Sequence, residues 1–428
     1  MSKNSTELAK TLTVGQAIGL AITIVVGSGL LVLPGLAYQQ ANGAALYSWI
    51  VDALIVIPLL VIFAYLGANF PSAGGIAGFV QAGFSRRAGA ATEVLLLGTF
   101  SLGIPAIATT GGNYFAAAVN GGEGTGIAAT FGLLIMAALV NYFGAKVSGR
   151  IQQILAVTLV VLLAVVAGAA LIFGDTNAGS GVAPISEWTK GLSVMGMVFF
   201  AYTGWEMLSF TAEEYRNPKR DFPIAVTVSF LSVIVLYLGI ALAVQLTLSP
   251  TDARVATAPV SALLFSFLGK ASSQLVGVLG VVIIAANLVG AMWAASRLVF
   301  ASAREGLLPR ALSTVDSKSQ SPRVALITVF LVFSGVVALS AAKIISLQSL
   351  LQVAGQNFFL LYGLSVLAYL KLVKRTSFKI FGVLTLLIVI LVMGTFTWWI
   401  LYPLGLLAIG FTVSGLRKGQ GVQTHQNA

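Results

Sequence analysis

The 428-residue sequence has no cysteine, one histidine and few charged residues. The lack of cysteine removes disulfides, thiolate nucleophiles and thiolate metal ligands, and leaves cysteine usage silent on redox compartment. The single histidine, His425, falls in the polar tail GQGVQTHQNA, where a solvated residue is expected. One His and no Cys leave zinc hydrolysis and Cys/His catalysis without raw material. No metal site and no cofactor are expected. No G-x-x-x-x-G-K-[ST] run occurs, so ATP is not expected to drive the protein directly. Charge is scarce, at 9% Asp, Glu, Lys and Arg against about a quarter in soluble domains. Long polar stretches are missing too. GDTNAGSGVAPISEWTK, EEYRNPKRDFP, LSPTDARVATAP and REGLLPRALSTVDSKSQSPR are all loop-sized, so no linker separates domains.

What remains is apolar: 58% of the residues are hydrophobic. About 20 apolar residues span a bilayer as a helix. Apolar segments fall at roughly 14–41, 43–68, 90–119, 125–145, 151–173, 190–212, 223–247, 273–303, 323–341, 347–371, 378–394 and 396–416. The polar start MSKNSTELAKTLT is too short for a domain, and no small-residue cleavage site follows it. The first apolar run is therefore expected to stay as a membrane helix. The pattern predicts an all-α membrane protein of about 12 transmembrane helices, with both termini on one side.

The net charge of +11 does not require nucleic acid. With a cytoplasmic N-terminus, all 24 basic residues fall on the cytoplasmic side except Lys190, Arg254, Lys270 and Lys343. That asymmetry is the positive-inside rule, and it predicts cytoplasmic termini.

Two segments are interrupted. VVGSGLLVLPG, Val25 to Gly35, puts Gly-Ser-Gly and a proline inside the first. MVFFAYTGWEMLSF, Met197 to Phe210, puts small and polar residues inside the sixth. Glycine and proline loosen a helix, and backbone groups freed in lipid cannot turn to water. An interrupted segment in corresponding places of two halves points to a transporter built from inverted repeats. Segments one to five and six to ten then form a 5+5 inverted repeat with broken helices 1 and 6, followed by two extra helices. The divisions are a tail, 1–13; one transporter domain, 14–416, with repeats at about 14–173 and 190–371 and extra helices at about 378–416; and a tail, 417–428. A break frees N–H groups at one half-helix start, which suit a carboxylate, and carbonyls at the other half-helix end, which suit an ammonium. Gly27 and Gly29 let a ligand approach the backbone closely. Taken alone, Gly-Ser-Gly also fits plain helix packing.

Four stretches together resemble the amino acid–polyamine–organocation (APC) superfamily of amino-acid transporters. They are GSGLLVLPG, FPSAGGIAGFV, FFAYTGWEMLSFTAEEYRNPKRDFPIA and SRLVFASAREGLLP. The third, and the overall length, resemble bacterial exporters of L-methionine and branched-chain amino acids. The resemblance implies the broken-helix fold. It also implies that Val25, Gly27, Ser28 and Gly29 bind the substrate carboxylate through backbone N–H groups and the Ser28 hydroxyl. Phe200 would be an aromatic gate. Ala201, Tyr202, Thr203 and Gly204 would form the break that receives the ammonium, and helix eight would add a pocket residue near Ala291. Trp293 lies two positions on, about 200° around the helix, and is expected in core packing. Helix five lacks the lysine that some proton-coupled relatives carry, which leaves the coupling ion open.

Three acids fall inside apolar segments, where an ionisable side chain is a functional candidate. Glu206 stands just past the helix-six break and is the proton-coupling candidate; its alternative role is to lock helix six to a neighbour. Asp52 is expected to have a structural partner, and Glu93 to be solvated at the interface. On the loop after helix six, Glu213, Glu214, Arg216 and Arg220 fit either ion pairs that latch an inward gate or a solvated, helix-stopping turn at Asn217-Pro218. Arg297, at the end of helix eight, is a further latch candidate.

These readings predict a secondary active transporter of methionine, leucine, isoleucine and valine in the bacterial inner membrane. It would export them as a proton antiporter by alternating access. Its partners would be the amino acid, protons and the lipid bilayer. An importer or exchanger for cationic amino acids or polyamines is the alternative within the family. A channel has no need of two breaks with a bipolar backbone site. A membrane-embedded enzyme would need clustered acids, a nucleophile with its base, or metal ligands.

Overall fold

In a computed structural model the described residues are 8, 10–119, 121–252, 255, 259–269, 272–345, 347–393 and 400–416. Among them the apolar segments are helical, and extended backbone pairs only at an isolated parallel bridge between Leu12 and Tyr215. Eight of the described stretches are long and apolar enough to cross a membrane, and shorter apolar helices accompany them. The chain is an all-α, multi-pass membrane protein.

The first segment is split into α1 (Val14–Val25) and α2 (Ser28–Ala41) by extended backbone at Val26 and Gly27. A capping box starts α1: the Thr13 hydroxyl accepts from the Gln16 N–H at 3.3 Å, and the Gln16 side chain accepts from the Thr13 N–H at 3.1 Å. Gly35 answers for the end of the motif. A Cβ there would lie 1.6 Å from the Val255 carbonyl oxygen, so only glycine lets that loop close on α2.

A short 3-10 turn leads into α3 (Ala45–Asn69), and α4 (Ile76–Gly83) follows after the tight turn at Gly75 (φ +53°). The long helices α5 (Arg86–Ala118), α6 (Glu123–Tyr142) and α7 (Ala145–Phe173) complete the first half.

The sixth segment is a chain of short pieces: α8 (Trp188–Gly191), α9 (Met195–Val198), a 3-10 turn over Phe199–Tyr202, and α10 (Trp205–Ser209). Then come α11 (Pro218–Thr247), α12 (Pro259–Leu268), α13 (Ser272–Arg304), α14 (Arg323–Ala341), α15 (Leu347–Leu372), α16 (Thr376–Met393) and α17 (Leu401–Leu416). All twelve predicted segments thus have helical counterparts.

Two helices fall where only loops are expected from the sequence, α4 and α12. Both are eight to ten residues long, too short to show as spans. Asn217-Pro218 does not stop a helix. Pro218 opens α11 at its first turn, where a missing N–H does no harm, and Asp221 accepts from the Asn217 N–H at 3.2 Å.

The bundle is apolar outside and carries its polar groups inside. On α7, Ile154, Val157, Val161 and Val165 form an exposed stripe at helical spacing, while Gln152 on the opposite side is fully buried. In lipid that arrangement leaves the apolar stripe to the bilayer and turns Gln152 toward the protein. The core is centred on α1, α3, α5, α11 and α13, which bring the two breaks together.

Candidate functional site

The two breaks meet. A Cβ on Gly29 would lie 3.0 Å from the Ala201 Cα, so the start of α2 packs directly on the helix-six break. Beside this contact is a cavity of about 50 Å³, lined in part by Val25, Gly27, Gly29, Ala201, Thr203 and Gly204. Its other walls are mostly apolar, with Phe100, Ile104, Ile107, Met207 and Phe358, and carry the polar side chains of Thr99 and Asn287. Space of this kind holds about four waters. An amino-acid head group fits it, and a branched side chain requires the apolar walls to part.

The break backbone sets the polarity. Gly27 caps α2 without a side chain, so the first N–H groups of α2 face the break with partial positive charge. Gly204 caps α10 at φ 116°, a left-handed conformation that suits glycine. The freed carbonyls are held from other helices. Asn287 on α13 donates to the Ile24 carbonyl at 2.5 Å. The Tyr237 hydroxyl on α11 lies 3.0 Å from both the Val25 and Ala201 carbonyl oxygens, tying the two breaks with one proton. Each carbonyl keeps a second lone pair for a ligand.

Some sequence expectations fall elsewhere. Tyr202 turns away from the cavity: its hydroxyl donates to the Trp49 carbonyl on α3 at 3.0 Å, and its ring packs on Trp49 and Tyr237. Ala291 is buried but does not line the cavity; the α13 wall is Asn287, one turn earlier. The side chains of Ser28 and Phe200, and His425 in the tail, lie outside the described residues.

Glu206 is fully buried. Its Oε2 accepts from the Tyr362 hydroxyl on α15 at 2.7 Å and from the Gly204 N–H at 3.1 Å. It therefore caps the helix-six break and ties it to α15, while Oε1 has no hydrogen-bond partner among the described residues. Asp52 has no hydrogen-bond partner among the described residues, contrary to expectation: it is fully buried and neither carboxyl oxygen is bonded there. Glu93 is not solvated at an interface either; α4 and the end of α13 cover it, and 3% of it is exposed. Helix five contributes an amide where a lysine is missing. Gln152 on α7 is hydrogen-bonded to the Thr23 hydroxyl on α1.

At the end of the bundle that carries Leu12, two ion pairs lie across the loop after helix six. Glu214 and Arg297 form a two-point pair, with Nε to Oε1 at 2.7 Å and Nη2 to Oε2 at 3.2 Å, each side chain 1% exposed. Trp293, buried as expected, also donates its indole N–H to Glu214 Oε1 at 2.9 Å and lies under the guanidinium. Glu213 and Arg304 form a second two-point pair at 2.6 and 3.0 Å, nearer solvent. Arg216 and Arg220 are exposed and join neither pair. The main chain adds a third tie, from the Leu12 N–H to the Glu214 carbonyl at 2.9 Å.

Comparison with known proteins gives the same picture. A sequence profile described as amino acid permease matches residues 12–417. The uncharacterized amino acid permease YecA of Bacillus subtilis is 28% identical over 406 residues, covering 95% of each chain. The L-methionine/branched-chain amino acid exporter YjeH of Escherichia coli is 27% identical over 408 residues, 94% of this chain and 95% of its own. The serine/threonine exchanger SteT of Bacillus subtilis is 26% identical over 326 residues, 72% of each chain. With nearly the whole sequence matched, this chain belongs to the amino acid permease family of the APC superfamily.

Proposed function

We propose that this amino-acid transporter exports neutral, apolar amino acids, above all methionine, leucine, isoleucine and valine, in exchange for protons. It would work by alternating access in a bacterial inner membrane, with both termini cytoplasmic. The observation that carries this reading is the cavity at the meeting of the two breaks. It offers N–H groups at the α2 start, carbonyls at the ends of α1 and the helix-six turn, and otherwise uncharged, mostly apolar walls. A zwitterion with an apolar side chain matches all three. Val25, Gly27, Ser28 and Gly29 take the carboxylate. Ala201, Thr203 and Gly204 take the ammonium, with Phe200 closing over them.

No charged side chain lines this cavity among the described residues. An unpaired lysine or arginine side chain buried there would be destabilised by several kcal/mol. Each buried methylene contributes about 0.8 kcal/mol, so leucine gains roughly 2 kcal/mol over alanine, about thirtyfold in affinity. The named function of the Escherichia coli relative supports export and this substrate class. Glu206, touching the break through Gly204, is the proton carrier in this reading. The test is counterflow in proteoliposomes: methionine and leucine should compete with labelled methionine better than alanine, and arginine hardly at all. Strong inhibition by arginine, lysine or a polyamine, with none from methionine, would assign the chain to cationic substrates.

A further inference from the structure

A second hollow, of about 280 Å³, opens at the same end of the bundle as the two ion pairs. It is formed by the turn after α3, by α4, by the start of α5 and by the end of α13. Phe70, Ser72, Gln81, Glu93, Arg304 and Glu305 line it. It is separate from the central cavity, with which it shares no lining residue.

Its chemistry is two-signed. Glu93 is 97% buried by its 3% exposure, and its Oε2 has no hydrogen-bond partner among the described residues. Glu305 stands near it and brings a second carboxylate, and the Arg86 guanidinium, which donates to the Glu305 carbonyl at 2.6 Å, acts on Glu93 through its charge. Ser302 and the Arg86 charge already act on this carboxylate, but its second oxygen is left unbonded, and a cationic group delivered into the hollow can take it. At the end of α13, Arg304 holds Glu213 through two parallel hydrogen bonds, both side chains partly exposed. An α-carboxylate presents the same two oxygens to a guanidinium, so it can take the place of Glu213.

We propose that this hollow is a second amino-acid seat, outside the closed gate, that receives a neutral α-amino acid before it reaches the central cavity. The ammonium sits on Glu93 and Glu305, and the carboxylate on Arg304. Phe70 supplies apolar surface for the side chain. Occupation draws Arg304 from Glu213 and so loosens the outer of the two ion pairs, leaving Glu214–Arg297 in place. The arriving substrate thereby begins to release the latch that bars its own path. The inference rests on the amino-acid reading of the central site, and it explains the turn FPSAGGIAGFV, which the central site does not use.

The experiment is equilibrium binding of labelled L-methionine to the purified full chain in lipid nanodiscs, over a wide concentration range. The unaltered chain should bind in two components. Glu93→Gln, nearly isosteric, should weaken the lower-affinity component at least tenfold and leave the other unchanged. Asn287→Ala should do the reverse. Methionine methyl ester, which lacks the carboxylate, should compete poorly for both. A melting curve for each variant matching that of the unaltered chain establishes that the fold is kept. A single component in the unaltered chain, or two components both unchanged in Glu93→Gln, overturns the second seat while the central reading stands. Absence of any methionine binding overturns both.

Discussion

The buried pair Glu214–Arg297 allows a quantitative prediction. Removing one partner of a buried, hydrogen-bonded ion pair costs about 3–5 kcal/mol, because the other charge is left uncompensated. Both side chains are 1% exposed, so water cannot take over in the closed state. If the pair exists only while this end of the bundle is shut, that energy falls on the shut state alone. At about 1.4 kcal/mol per factor of ten, Glu214→Gln should move the balance toward the open state at least a hundredfold.

The natural absence of cysteine makes the assay clean. A single cysteine at Thr203, on the cavity wall, reports access through its rate of alkylation by a membrane-impermeant maleimide. Reagent applied from the side of Leu12 should react at least tenfold faster in Glu214→Gln. The double variant Glu214→Leu/Arg297→Met replaces the pair by apolar groups and should return toward the slow rate, since such swaps are close to neutral. An unchanged rate in the single variant, or a double variant as reactive as the single, would refute the reasoning.

Gly29→Val should abolish methionine binding, because the added Cβ would press on the Ala201 backbone where the breaks meet; wild-type affinity would remove the backbone site from the mechanism. Glu206→Gln should keep exchange and lose the response to a pH gradient. Concentrative transport that survives unchanged in vesicles would place the proton elsewhere. Tyr237→Phe leaves the Val25 and Ala201 carbonyls without their shared donor, at a cost of about 1–3 kcal/mol. Its melting temperature and its transport rate should both fall, and an unaltered pair of values would show that the tie between the breaks is dispensable.

The breaks themselves were legible because glycine, proline and polar residues interrupt otherwise continuous apolar runs, a contrast that survives without any partner being known. What closes the breaks was not. Asn287 lies 263 residues from Ile24, and Tyr237 lies 212 residues from Val25, so no local pattern links them. Asn287 did leave one mark: it is a lone amide in the apolar run VVIIAANLVGAMW, and buried amides in membrane helices bond to something. Attention to Ala291, one helical turn away, missed it. Tyr237 and Tyr362 left none, since a tyrosine in an apolar helix reads as ordinary packing. Of the ion-pair residues, charge alone marked Glu213, Glu214 and Arg297. Charge equally marked Arg216 and Arg220, which point outward, because a loop sequence carries no period to tell its two sides apart.

The bridge from Leu12 to the Glu214–Tyr215 strand has a consequence for anyone handling this protein. The residue that closes it, Leu12, lies just before α1, on the same peptide that an affinity tag, a fluorescent fusion or a surface tether placed there would extend. Pulling on that peptide pulls on the main chain beside both ion pairs. A surface tether on that peptide would therefore load the main chain next to Glu214. A protease site placed between Lys10 and Leu12 would be cut fastest in whichever conformation lets the bridge open.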